Sequence, residues 1–266
     1  MSLRVYSGPR TDRRRHQGGT VRRFVPWFLA LLAIALQIAF PLTHGTHRRD
    51  VVVAGVVVFF LASVCHALVW RGFWFTTGFI IVTVGGGLLV EAVGVRSGTP
   101  FGDYTYSRAL GRTIASVPWV IPLAWSMFAY PCLVAARRLS RSPLVTPFVG
   151  AIALASWDLF LDPMMTGEGY WHFLNPGRTL PHVAGVPAVD YLGWFLTALI
   201  MMILLDRLPR RAAPDAQPAT LFLWVYVSSI VANAFFLHRP WVAFYGGVAM
   251  GVVAIPYAWV LWSARD

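Results

Sequence analysis

Lysine is missing from this chain of 266 residues; all twenty-two basic residues are arginine. That excludes a Schiff-base lysine and the lysine of a Walker-type phosphate loop. Charge of either sign is scarce, at 12% of residues, about half of what soluble domains carry. Cysteine is scarcer: Cys65 and Cys132 sit in apolar stretches without CxxC spacing. They read as small buried hydrophobes, with neither a disulfide nor a thiolate metal site implied. The sequence also lacks GxSxG, HExxH and GxGxxG patterns. His44 and His47 make one HxxH in a short loop, and His172, His182 and His238 are scattered. Membrane di-iron enzymes need several clustered histidine pairs, so neither a metal nor any other cofactor is expected.

What the chain has in quantity is apolar surface, 57% of residues, with a mean hydropathy of +0.62. Eight apolar segments follow one another near residues 24–40, 51–70, 73–93, 117–136, 144–162, 189–206, 219–237 and 241–262. Most approach the roughly 20 residues that cross a bilayer. The fold class expected is all-α, a polytopic integral membrane bundle of about eight transmembrane helices. Residues 1–23 read as a basic, disordered cytoplasmic tail, and 24–266 as a single membrane domain. The pI near 10.6 does not point to nucleic acid, because the arginines fall in short loops between apolar spans. With the N-terminus inside, eight spans put fifteen arginines on the inner side and seven outside. That asymmetry predicts both termini in the cytoplasm and a multi-pass protein of the cell membrane.

The same topology sorts the acids. Glu91, Asp103, Asp158, Asp162, Glu168 and Asp190 all fall at outer helix ends or in outer loops. Two such loops, near 94–117 and 163–188, are long and rich in Gly, Pro and aromatics, and are expected to cap the bundle. Gly85, Gly86 and Gly87 suit close helix packing beneath them.

Asp158 and Asp162 are four apart, and so share one helix face about 6 Å apart along the axis. Pro163 is expected to close that helix. A carboxyl among apolar groups, next to a second carboxyl, keeps its proton while the partner ionises, an arrangement suited to acid–base work. The plainer reading buries Asp158 alone and leaves Asp162 to water or an arginine. Glu91 is placed about two residues from the end of its span, where it either serves a site or pairs with Arg96. In the loop after it, Asp103 suits either a turn or a site. Tyr104 and Tyr106 suit either an interfacial belt or a pocket lining. Trp119, Trp125, Trp157, Trp171 and Trp194 lie near outer span ends. A membrane-interface belt accounts for all of them; facing inward, they could stabilise a cation.

Four stretches together carry a resemblance: Glu91–Tyr106 (EAVGVRSGTPFGDYTY), Val117–Trp125 (VPWVIPLAW), Trp157–Pro163 (WDLFLDP) and Gly185–Trp194 (GVPAVDYLGW). They resemble the membrane-embedded carotenoid biosynthesis proteins, a family that includes carotenoid 1′,2′-hydratases and bisanhydrobacterioruberin hydratases. The likeness covers roughly the central hundred residues and is most specific at GTPFGDYTY; the family pattern has Asn at the position of Asp190. It implies a cofactor-independent carbon–oxygen lyase that adds water to the terminal (1′,2′) double bond of an acyclic carotenoid ψ-end. Asp158, Asp162 and Glu91 would then be catalytic. Phe101, Asp103, Tyr104, Tyr106, Trp125, Trp157, Asp190 and Trp194 would bind the substrate. The partners implied are a long-chain carotenoid drawn from the bilayer and other membrane enzymes of the same pathway. Three other readings stay open: a carotenoid cyclase, an isoprenoid prenyltransferase, and a non-catalytic carotenoid-binding or transport protein.

Overall fold

Long apolar runs in this chain satisfy their backbone polar groups internally, and they do so as helices. A computed structural model describes the backbone of residues 13–264 and the side chains of residues 24–264. The helices are α1 (Arg13–Leu42), α2 (Gly45–His66), α3 (Phe73–Ile80), α4 (Gly86–Ser97), α5 (Ile121–Leu139), α6 (Val145–Gly167), α7 (Ala188–Asp206), α8 (Ala216–Val231) and α9 (Pro240–Ser263). Wide π turns extend α2 through Arg71 and α8 through Phe236, and another joins α3 to α4 as one rod, Phe73–Ser97. Seven of these rods are long and apolar enough to cross a membrane. The eighth, α5, ends in Arg137 and Arg138. It packs against α2, α6 and α8 at the centre of the bundle and is buried on nearly every side. The chain is an all-α polytopic membrane bundle. Half of the basic tail expected over residues 1–23 lies outside the described residues, which begin with the α1 backbone at Arg13.

Three boundaries differ from the sequence reading. Pro163 does not close α6, which runs on to Gly167. Proline removes one N–H from the helix ladder, and the Pro163 carbonyl is taken up by Arg239 Nη1 at 2.6 Å. Likewise α4 continues to Ser97 and ends at Gly98, which takes a left-handed φ of 70° as a C-cap. Glu91 is therefore six residues inside the helix rather than two. Finally, α5 starts at Ile121, because Val117–Pro118 (β3) pairs with Thr113–Ile114 (β2) as a short hairpin.

The two long loops meet. Tyr104–Tyr106 (β1) and Trp171–Phe173 (β4) pair antiparallel, with Tyr104 opposite Phe173 and Tyr106 opposite Trp171. Below this cap, Gly87 lets α4 approach α5: a β-carbon there would stand 3.2 Å from the Trp125 side chain.

The charged ends also separate. Arg71 bonds to Asp215 and the Arg211 carbonyl, while Arg137 and Arg210 hold Asp206, all at one end of the bundle. Arg48 pairs with Glu168, and Arg239 binds Pro163, at the capped end.

Candidate active site

Three helices and the cap bring the carboxylates together. One turn of α6 presents Asp158 and Asp162, the first turn of α7 presents Asp190, and α4 presents Glu91. All four are buried, Asp158 completely. One oxygen each from Asp158, Asp162 and Asp190 lies within 4.8 Å of the others. Among the described residues, no N–H or hydroxyl donor reaches either oxygen of Asp158, or Oδ2 of Asp190. A buried ionised carboxylate needs compensating donors. What Asp158 faces instead are two more carboxyls, and a hydrogen bond between carboxyls requires a proton on one of them. The Tyr191 hydroxyl is also buried, without a partner among the described residues.

Glu91 is the opposite case. Its Oε2 accepts from the Tyr104 hydroxyl at 2.6 Å and the Tyr106 hydroxyl at 2.7 Å, and its Oε1 from Trp125 Nε1 at 2.9 Å. Burial, and then the neighbouring Glu91 charge, push both phenols above their ordinary range, so they stay hydroxyl donors. Glu91 thereby ties α4, α5 and the cap into one unit.

Around these acids the aromatic residues face inward. Trp125 and Trp194 stack at 3.9 Å between ring centroids, and Trp157 meets Trp194 edge-on at 6.2 Å. Phe101 lies against Trp125 and Tyr104, and Tyr106 stands edge-on to Trp171. They enclose a cavity of about 60 Å³. Of the residues singled out from sequence, Glu91, Phe101, Tyr104, Tyr106, Trp125, Trp157, Asp162, Asp190 and Trp194 line it. Asp158 stands directly behind, in contact with Asp162 and Asp190. Asp103 does not join them: it is exposed, and its carbonyl accepts from Leu174 N to pin the turn between the two loops.

Trp119, 37% exposed, fits the membrane-interface belt, whereas Trp171 faces the cavity. Sequence reasoning missed the α2 wall, Val52 and Val56, along with Met127 and Leu161. These are ordinary apolar residues in apolar spans, and nothing in their spacing marks them. The Asp158–Asp190 contact is also invisible to helical spacing, since it joins two helices.

A family model described as "Carotenoid biosynthesis protein" matches residues 50–263. The chain is 27% identical over 198 residues to the bisanhydrobacterioruberin hydratase of Haloarcula japonica. That alignment covers 66% of this chain and 59% of the relative, so the chain spans less than two thirds of that protein's length. No solved structure matches the chain.

Proposed function

The chain belongs to the carotenoid biosynthesis protein family, and from that premise we propose that it hydrates the terminal (1′,2′) double bond of an acyclic carotenoid ψ-end. One observation carries the reading: a completely buried aspartate, unreached by any N–H or hydroxyl among the described residues and in contact with two further aspartates, stands behind an aromatic cavity. An unactivated alkene needs a strong, positioned acid in a dry place. Asp158 supplies a proton that its contacts with Asp162 and Asp190, the aspartates lining the cavity, deliver to the less substituted alkene carbon, and the tertiary cation forms next to it. The aromatic faces of Trp125, Trp157 and Trp194 left free by the Trp125–Trp194 stack stabilise that cation, a desolvated contact being worth about 2 kcal/mol or more. Water bonds to the cationic carbon through oxygen and loses a proton to Asp162 or Asp190. The carboxyl contacts return that proton to Asp158, so alkene and water are consumed and one tertiary alcohol is formed.

With three donors already on its oxygens, Glu91 serves better as the fixed anion that positions the cap than as the base. The reaction balances without a cofactor. The substrate is a hydrocarbon of the bilayer, and the protein works in the cell membrane.

The test is expression in a lycopene-producing bacterium, with pigment masses read after extraction. Gain of one or two waters is expected, and Asp158→Asn should lower product formation by about 10²–10⁴-fold. Unchanged mass with a shortened chromophore would mean cyclisation. Bound but unaltered pigment, with a longer carotenoid also unchanged, would mean a binding protein.

A prenyltransferase reading has one observation in its favour, since three carboxylate oxygens within 4.8 Å could bridge a divalent cation. Against it, no arginine among the described residues lines the cavity to hold a diphosphate. Hydration should therefore survive EDTA; loss of activity that magnesium restores would make the three aspartates a metal site.

A further inference from the structure

The acid-bearing cavity has a neighbour. Its wall at Val52, Val56, Met127, Trp157, Leu161 and Met165 is shared with a second cavity of about 130 Å³ between α1, α2, α6 and α8. The first cavity, about 60 Å³, is the smaller of the two and is the one that the carboxylates line. A long hydrocarbon can place its reacting tip there and nothing more; the chain behind the tip needs another space. Leu36, Phe40, Val51, Phe160 and Val225 make the second cavity largely apolar, as an unsaturated hydrocarbon requires.

One wall of that space is polar. On the α8 side the helix widens into the π turn Ala232–Phe236, which carries Asn233 into the cavity lining. Turns of this kind recur at functional sites. Asn233 is 1% exposed, and its Nδ2 donates to the Ser229 carbonyl at 3.0 Å. Its Oδ1 meets no donor among the described residues. A buried carbonyl oxygen left unpaired is costly, and a ligand hydroxyl would satisfy it.

We infer that the second cavity is the berth of the stretch of polyene next to the tip that reacts in the first, and that Asn233 accepts a hydrogen bond from a hydroxyl group on that chain. The inference rests on the proposed reaction for the identity of the chain. The berth opens among α1, α2, α6 and α8, so the substrate arrives sideways from the bilayer and no polar cap has to open.

Gly55 lines the berth, and a β-carbon built on it meets only Leu36 Cβ, at 3.8 Å. The backbone therefore accepts a side chain that fills the space. Purified protein in detergent is titrated with a lycopene-type polyene and with its monohydroxylated counterpart, following the shift of the polyene absorption band. Gly55→Phe should weaken both by about tenfold or more, in line with the cost of small steric changes in apolar pockets. Leu89→Phe, on an outward face at 67% exposure, should not. Wild type should prefer the hydroxylated polyene by about tenfold, and Asn233→Leu should bring the ratio close to one.

Wild-type affinity in Gly55→Phe overturns the berth. A hydroxyl preference that is absent from wild type, or that survives Asn233→Leu, overturns the role of Asn233. Should Gly55→Phe fail to fold, Ser229→Phe on the opposite wall carries the same expectation. Because the absorption shift reports binding whether or not turnover follows, a protein that binds in this way yet never hydrates sinks the proposed reaction and leaves the berth standing.

Discussion

The buried Glu91 carboxylate accepts three hydrogen bonds, while Asp158, one helix pair away, accepts none from any N–H or hydroxyl among the described residues. Two acids of similar burial therefore do different work. Charge-assisted hydrogen bonds are worth about 1.5–3 kcal/mol each, and Glu91 joins three elements through them. Replacing it by Gln turns one acceptor oxygen into an N–H₂ group that confronts a phenol or an indole donor. Glu91→Gln should therefore lower stability by about 2 kcal/mol or more, seen as an earlier thermal unfolding transition in detergent. Asp158→Asn, which removes a proton donor and no accepted hydrogen bond from an N–H or hydroxyl, should unfold close to the wild-type temperature while losing product. Equal unfolding temperatures for the two variants would contradict this division of roles.

Between elements, contact is closest where the cap sits on the helices. A β-carbon at Gly193 of α7 would stand 2.6 Å from the Pro100 carbonyl oxygen and 2.9 Å from the Phe101 ring. The first of these is backbone and cannot rotate away. Gly193→Ala should thus push the loop bearing Phe101 off α7, at about 1–3 kcal/mol for an overpacked site. Hydration should fall with it, since Phe101 lines the cavity and Asp190 lies one turn before Gly193. Limited proteolysis within the 98–103 turn reports the loosening directly; a variant with wild-type cleavage and turnover would show that the contact is slack. The β1–β4 pairing explains why a local lift would matter: Tyr106 and Trp171 are register partners, so the two loops move as one.

At the scale of the whole molecule, polar groups divide between two ends. Asp206, Asp215, Arg71, Arg137 and Arg210 form one set of ion pairs, and the Arg48–Glu168 pair marks the capped end. The arginine count predicts that the cap lies on the outer face. Single cysteines at exposed positions test that, in a chain whose Cys65 and Cys132 have been replaced. Arg108→Cys in the cap should react with a membrane-impermeant maleimide on intact spheroplasts. Arg141→Cys, between α5 and α6, should react only after lysis. The reverse pattern would invert the protein and move the carboxylates to the cytoplasmic side.

The sequence by itself determined the class of fold, because apolar segments of bilayer length leave the backbone no partner but itself. It also marked Asp158, Asp162 and Glu91, since carboxylates are rare in such segments and stand out by composition alone. The Asp158–Asp162 spacing was legible because four residues make one turn of α6. Only the tertiary structure decided what those acids meet. Asp190 completes the aspartate cluster from another helix, Asp103 turns outward, and Glu91 is saturated by donors from α5 and the cap. Helix and strand periods fix which side of an element a residue occupies; the partner across the gap depends on how separate elements pack. The same reason hid Val52, Val56 and Asn233. Each is unremarkable on its own helix, and acquires meaning only where several helices close around one space.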